Sequence, residues 1–336
     1  MKPELSVVIP VYNEEAGLAL LYARLYPALD QLAQRGVTYE IIFVNDGSRD
    51  RSAMLLADQF RSRPDVTRVV LFNGNYGQHM AILAGFQASR GDIVVTLDAD
   101  LQNPPEEIGA LVDKVREGFD YVGSIRRKRQ DAAWRTYLSK LMNRIREKIT
   151  HIQITDQGNM LRAYHRNVID LINQCTEVNT FVPALAYTFA RKPTEIMVEH
   201  EERTAGESKY SFYSLIRLNF DLMTGFSIMP LQMFSMLGMV LSAASGALVV
   251  LLLIRRFFLG AEAEGLFTLF AIAFFMMGVI LFGIGLLGEY VGRIYQQVQG
   301  RPRFVVQTTL EQIESSKADP DEPKAALPES ALHVSA

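Results

Sequence analysis

The sequence predicts an α/β fold: a doubly wound sheet domain followed by interfacial helices and two transmembrane helices. Three observations carry this. Short apolar runs alternate with longer amphipathic segments over the first hundred residues, the pattern of parallel strands joined by crossover helices. Residues 233 to 287 are almost continuously apolar. A run of carboxylates, Thr96-Leu-Asp-Ala-Asp-Leu-Gln-Asn-Pro-Pro-Glu-Glu107, directly follows the apolar Ile93-Val-Val. With 336 residues, 49% of them apolar, the chain is long enough for a packed core and a separate membrane region.

Taken in order, Leu5-Ser-Val-Val-Ile-Pro-Val reads as a buried strand, Glu15 to about Gln34 as a helix, and Tyr39-Glu-Ile-Ile-Phe-Val as a second strand ended by Asn45-Asp-Gly-Ser48. A helix from about Ser52, a strand over Thr67–Phe72, a helix over Gln78–Ser89 and a strand over Asp92–Asp98 continue the alternation. Ligands of such sheets bind beyond the carboxyl ends of the strands, so Asp46, Asp98 and Asp100 are expected at one cleft despite their separation in sequence. Asn103-Pro-Pro-Glu-Glu107 has the proline and early glutamates of a helix start, which gives Glu106 and Glu107 a structural reading. No G-x-G-x-x-G opens a helix and no G-x-x-x-x-G-K-[ST] occurs, which argues against a dinucleotide-binding dehydrogenase and a P-loop NTPase.

The sheet domain is expected over residues 1–230, with interfacial helices near 132–150 and 212–231. The first carries many Lys and Arg interleaved with Trp134, Tyr137, Leu138, Leu141, Met142 and Ile145, as in a helix lying on anionic headgroups; Arg126 at its start is placed to reach a phosphate. The membrane domain is expected over 233–290, with spans at 233–254 and 266–287, each long enough to cross a hydrocarbon core of about 30 Å. The intervening loop is too short for a domain, so the sheet domain and the C-terminal segment 291–310 are expected on the same side. Residues 311–336 have the composition of a disordered tail. No basic n-region and apolar h-region open the chain, and Arg293, Arg301 and Arg303 with the basic segment outweigh Arg255 and Arg256; the expectation is a multi-pass membrane protein with its sheet domain in the cytoplasm. The single Cys175 excludes an intrachain disulfide, the net charge of -3 selects no partner, and with spans present the basic segment points to a lipid bilayer and not to nucleic acid.

Side chains at i and i+2 of an extended segment project to one side, so Asp98 and Asp100 can present two carboxylates to one point. That suits Mg2+ or Mn2+, which takes hard oxygen ligands, fills its shell with substrate phosphates and water, and neutralises a departing diphosphate. The same D-A-D also reads as an ordinary strand-ending turn, and spacing alone does not separate the two.

Val8-Ile-Pro-Val-Tyr-Asn-Glu-Glu15, Asn45-Asp-Gly-Ser48, Asn75-Tyr-Gly-Gln-His79, Asp98-Ala-Asp-Leu-Gln-Asn-Pro-Pro-Glu106, Met160-Leu-Arg-Ala-Tyr164, Gly206-Glu-Ser-Lys-Tyr210 and Leu287-Gly-Glu-Tyr-Val-Gly-Arg-Ile-Tyr295 occur together in order. From about residue 5 to 308 the chain resembles the family-2, GT-A-fold glycosyltransferases that load a sugar onto a polyprenyl phosphate. The resemblance implies a UDP-sugar donor and undecaprenyl phosphate as acceptor, with inversion, and 4-deoxy-4-formamido-L-arabinose as the sugar, in lipid A modification. A glucosyl or other hexosyl transfer stands as the alternative. By the same resemblance Pro10, Tyr12, Glu14, Asp46 and Asp98 contact the nucleotide. Asp98, Asp100 and Gln102 form the metal and diphosphate site, Asp156 is a catalytic residue on the acceptor side, and Arg162, Arg203, Ser208 and Lys209 join Arg126 around phosphate groups. A homo-oligomer assembled through the membrane region is also implied. Two departures stand out: Asn45 replaces an aspartate of many relatives, and Asp156-Gln-Gly-Asn159 stands where close relatives have D-Y-G-C. His79 is left without a role. A processive polysaccharide synthase is disfavoured, since the one tryptophan, Trp134, lies outside any Q-x-x-R-W; a noncatalytic sugar-nucleotide-binding membrane subunit remains a rival.

Overall fold

The computed structural model describes residues 2–126, 154–156, 158–177, 181–199, 201, 224, 227–259 and 266–312. The expected interfacial helix near 132–150, most of that near 212–231, the tail from 313, and Arg203, Ser208 and Lys209 lie outside the described residues. The chain divides into two compact units, one of residues 1–132, 152–208 and 301–336, the other of 133–151 and 209–300.

In the first unit, β1 (Leu5–Val11), β2 (Tyr39–Asn45), β3 (Thr67–Phe72) and β4 (Ile93–Thr96) alternate with α1 (Leu18–Gln34), α2 (Ser52–Ser62) and α3 (Gln78–Ala88). These four strands are parallel neighbours, covered on both faces, which is why β2 is buried at every position and reads as a continuous apolar run. Leu18, Leu21, Leu25, Leu29 and Leu32 of α1 recur at helical spacing and enter the core on one face of the sheet.

The full sheet has eight strands in the order β7-β5-β6-β4-β1-β2-β3-β8 and is mixed, with the four strands expected from sequence forming its parallel part. After α4 (Ile108–Arg116) come β5 (Tyr121–Arg126) and β6 (Arg162–His165); β6 inserts antiparallel between β4 and β5. Two helices, α5 (Arg166–Gln174) and α6 (Val182–Phe189), lead to β7 (Pro193–Val198), parallel to β5. On the other edge β8 (Val306–Leu310) lies antiparallel to β3. The alternation that signals parallel strands requires one crossover helix between sheet neighbours, and neither β6 nor β8 is reached that way.

The second unit contains two long helices, α7 (Met229–Leu259) and α8 (Leu266–Val298). Phe234 packs where a Cβ on Gly283 would lie 2.1 Å from its ring. Apolar side chains such as Phe274 and Phe282 are two-thirds exposed, at 67% each. Among the described residues one stretch, Ile272–Val298, is long and apolar enough to cross a membrane, and Met229–Leu241 is a shorter apolar stretch. The expected spans 233–254 and 266–287 are thus both helical, while the length-and-composition criterion for crossing is met by one.

Close approach of α3 to β1 rests on Gly85, where an added Cβ would lie 2.2 Å from Cγ1 of the fully buried Val8. A methyl there overfills the core by more than alanine's helix propensity returns. Gly85→Ala is expected to lower stability by about 1–2 kcal/mol in urea unfolding. The Val8→Ala, Gly85→Ala double variant should lose less than the sum of the two single losses; simple additivity would refute this packing account.

Candidate active site

The carboxyl ends of β1, β2 and β4 carry the loops of interest. Those after β1 and β2 are laced together. The Asn13 amide donates to Ser48 Oγ at 3.0 Å, Arg49 N–H to Asn13 Oδ1 at 2.8 Å, Glu14 N–H to Ser52 Oγ at 3.0 Å, and Arg51 N–H to Glu15 Oε2 at 2.9 Å. Asn13 has φ 55°, a left-handed position that asparagine tolerates well. On this platform the Tyr12 ring is exposed, while Pro10 and Glu14 are half-buried, so all three expected nucleotide contacts stand at one strand end.

Asp46 is turned to another task. Its carboxylate accepts from the backbone N–H of Tyr76 at 2.6 Å and of Gly77 at 2.8 Å, and its carbonyl from Asn75 Nδ2 at 3.3 Å. Burial raises its pKa and the two amides oppose that shift. Asp46 therefore organises the loop 73–77 after β3. Its neighbour Gly47 sits at φ 64°, where a Cβ would lie 2.4 Å from the Gly74 carbonyl carbon. The D-G-S turn thus closes on the loop above it because its central residue has no side chain.

Strand β4 stops at Thr96, whose hydroxyl donates to the Met160 carbonyl at 2.5 Å. Asp98 and Asp100 consequently stand in the turn beyond it, and the extended i, i+2 geometry expected for them does not apply. Asp98 nonetheless senses the charge of Asp100. Burial first, and then the Asp100 carboxylate, push Asp98 up to about 7; Gln78, donating from Nε2 to Oδ1 at 2.6 Å, and the charges of Arg126 and Arg162 oppose the rise. Buried Leu101 follows at φ 59°, a position costly for a leucine. Gln102 donates to Asp100 from its backbone N–H at 3.2 Å and from Nε2 at 2.8 Å, so it orients that carboxylate. Among the described residues no three His, Cys, Asp or Glu side chains cluster as a metal cage. Two adjacent carboxylates that repel one another fit a divalent cation whose remaining ligands come from phosphate and water.

On the opposite wall, Arg126 at the end of β5 donates to Asp156 from Nε at 2.6 Å and Nη2 at 2.8 Å, a bidentate pair. Arg162, expected at a phosphate, is instead fully buried in β6: Nε donates to the Asn159 carbonyl at 2.8 Å, Nη2 to the Asp156 carbonyl at 2.6 Å, and Nη1 to the Tyr121 hydroxyl. It pins the 156–159 turn from below. Thr155 is held from outside by Glu195, through its N–H at 3.0 Å and its hydroxyl at 2.5 Å. His79 meets the Phe181 ring edge-on at 5.0 Å, and burial, with Arg162 nearby, lowers it to about 4. It is a neutral packed ring. Gln78, Tyr121 and Glu195 were not singled out from sequence. Gln78 lies in a quoted motif, whereas Tyr121 and Glu195 meet partners about forty positions away and leave no local signal.

Comparison with known proteins follows from this geometry. The family model Glycosyl transferase family 2 matches residues 6–172. An undecaprenyl-phosphate 4-deoxy-4-formamido-L-arabinose transferase of Aeromonas hydrophila is 48% identical over 322 residues, covering 95% of this chain and 97% of the relative. A protein of the same name from Pectobacterium carotovorum is 52% identical over 308 residues, covering 91% and 93%. Among solved structures, glucosyl-3-phosphoglycerate synthase from Mycobacterium tuberculosis aligns with TM-score 0.45 at 18% identity, over 66% of this chain and 78% of that one.

The Arg126–Asp156 pair is open to direct measurement. Arg126→Gln and Asp156→Asn should each destabilise the folded protein, with a coupling of about 1–3 kcal/mol between them in a double-mutant cycle followed by urea unfolding. Losses that add to within about 0.5 kcal/mol would show that the two side chains act independently.

Proposed function

This chain belongs to glycosyl transferase family 2, and from that premise we propose that it transfers 4-deoxy-4-formamido-L-arabinose from its UDP-linked form to undecaprenyl phosphate, with inversion at the anomeric carbon. The observation that carries the reading is the pair Asp98 and Asp100, two mutually repelling carboxylates just past the end of β4, in a chain alike over nearly its whole length to transferases of that name.

Asp98 and Asp100 would hold Mg2+ or Mn2+, which when bound supplies Lewis-acid neutralisation of the donor diphosphate. Tyr12 offers an open ring face to the uracil base, and Glu14 a carboxylate for its imide N–H or for ribose hydroxyls. Asp46 acts one step back, by shaping the 73–77 loop beside the nucleotide. Gln78 and Gln102 orient the two site carboxylates. An oxygen of the lipid phosphate attacks the anomeric carbon, the bond from that carbon to the diphosphate breaks, and UDP leaves from the opposite face. The second pKa of a phosphate monoester is about 6, so the nucleophile is largely ionised at neutral pH and no strong base is needed. Asp156, bidentate with Arg126, is accordingly read as a positioning residue on the acceptor side. Arg203, Ser208 and Lys209 are assigned to closing over the phosphates.

The apolar exposure of α8 supports a membrane setting. We extend it to two spans, at 233–254 and 266–287, a cytoplasmic sheet domain at the inner membrane, and a homo-oligomer. Glucosyl or other hexosyl transfer is the competing reading of the same site.

Purified protein in lipid, given Mn2+ and undecaprenyl phosphate, is expected to make a labelled lipid from UDP-4-deoxy-4-formamido-L-arabinose at least about tenfold faster than from UDP-glucose, the scale on which a site that hydrogen-bonds one polar group rejects its absence. Preference for UDP-glucose would overturn the sugar. Asp98→Asn and Asp100→Asn should each cut turnover by about a hundredfold or more with unchanged thermal unfolding. Near-wild-type rates in either would refute the role of the pair, and nucleotide binding without any lipid product would favour a noncatalytic subunit.

A further inference from the structure

The returning C-terminal strand has a feature that edge pairing alone does not explain. Most of β8 is exposed: Val305 and Val306 stand 40% and 41% open, and Leu310 alone of the strand's apolar side chains packs on the core. Yet the segment is anchored at both ends. Glu311 accepts from Arg68 and Arg90 at 2.7 Å each, and the Arg303 guanidinium donates to the Cys175 carbonyl. Between these anchors the register with β3 shifts at Leu71/Phe72, and past the shift the Asn73 N–H donates to the Val305 carbonyl at 3.2 Å. At that point Phe304 stacks on Phe72, centroids 5.0 Å apart and planes inclined 14°. Phe72 meets the Tyr76 ring edge-on at 5.6 Å, and the Tyr76 hydroxyl donates to Asn73 Oδ1 at 2.7 Å. Tyr76 and Gly77 are the residues whose amides hold Asp46, and the next residue, Gln78, holds Asp98.

We infer that Phe304 is a positioning residue for the donor site, acting through Phe72 and Tyr76 on the loop 73–77 and thereby on the orientation of Asp46 and Gln78. This deepens the proposed function and rests on it: the nucleotide half of that cleft is shaped by a strand that follows the last long helix in sequence. A ring at position 304 is required because the contact is face-to-face stacking, whose geometry an aliphatic side chain does not reproduce.

The test uses the full chain in lipid, as wild type, Phe304→Ala and Phe304→Tyr. For Phe304→Ala, the KM for the UDP-sugar and the dissociation constant for UDP are expected to rise roughly three- to tenfold, the scale of one lost aromatic stack, with kcat within about twofold of wild type. Hydrogen exchange at the Tyr76 and Gly77 amides should accelerate, and Phe304→Tyr should restore wild-type values in every measurement. Unchanged UDP affinity and unchanged exchange at 76 and 77 in Phe304→Ala would overturn the inference. So would a loss of thermal stability and kcat together that Phe304→Tyr shares. Absence of sugar transfer by the wild type would count against the proposed function, while UDP affinity and amide exchange would still decide the role of Phe304.

Discussion

Two carboxylates placed side by side past the end of a buried strand must be held there against their own repulsion, and much of the surrounding architecture serves that end. Asp98 is shifted far from an ordinary aspartate by burial and by Asp100. A chain selected only for stability has no use for this arrangement, since separating the two groups by one turn of loop would relieve it. Instead the backbone is forced tighter: Leu101 occupies a left-handed position, costing a leucine roughly 1–2 kcal/mol, and burial of its side chain in the core offsets that cost by about 1.5–3 kcal/mol. Gln78 from α3 and Gln102 from the same turn each donate to one carboxylate. The strain and the donors point the same way, toward carboxylates that must stay where they are.

The opposite wall is built on a buried cation. Arg162 is fully inaccessible, and a guanidinium in that position is tolerable only if its N–H groups are satisfied. They are, by the carbonyls of Asp156 and Asn159 and the hydroxyl of Tyr121, whose own ionisation burial suppresses. Because two of those acceptors belong to one short turn, satisfying Arg162 also fixes the turn, and fixing the turn aims the Asp156 side chain at Arg126. Sheet core, buried cation, turn and rim pair thus form a single chain of dependence, in which the Arg162 guanidinium is committed to two backbone carbonyls and the Tyr121 hydroxyl.

The parallel heart of the fold was legible because strands buried on both faces read as apolar runs and are separated by helices of ordinary length. β6 was not, since Arg-Ala-Tyr-His looks polar until Arg162 is seen to find partners inside. β8 was not, since an exposed edge strand carries no core pattern. In the site, Asp98 and Asp100 were placed together for a geometric reason that does not hold: they share a turn and not a strand face. Asp46 was read as a ligand contact because sequence shows a carboxylate at a strand end but not the loop thirty residues later that folds its amides over it. Gln102 enters the metal site only through the family resemblance, and its N–H groups are directed at Asp100. The membrane region was legible as helices, and among the described residues one stretch, in α8, is long and apolar enough by itself to cross.

What separates the four aspartates is the kind of group seen to hold each. Asp46 and Asp156 each face donors on both oxygens, backbone amides in one case and a guanidinium fork in the other, and groups so matched are parts of the scaffold. Asp98 accepts from Gln78 and Asp100 from Gln102, neutral donors that orient a carboxylate without cancelling its charge. The proposed chemistry asks for that division. An acceptor phosphate that is ionised before it arrives needs orientation more than proton removal, so an aspartate locked to arginine on the acceptor side is no handicap. A nucleotide diphosphate must depart with its charge stabilised, and in the proposed reaction that demand would fall on a cation held at Asp98 and Asp100. The carboxylates of this chain are sorted by environment in the way the two halves of the reaction differ, which favours transfer to a phosphate over transfer to a neutral hydroxyl. For the latter, Asp156 would have to accept a proton while held against the Arg126 guanidinium.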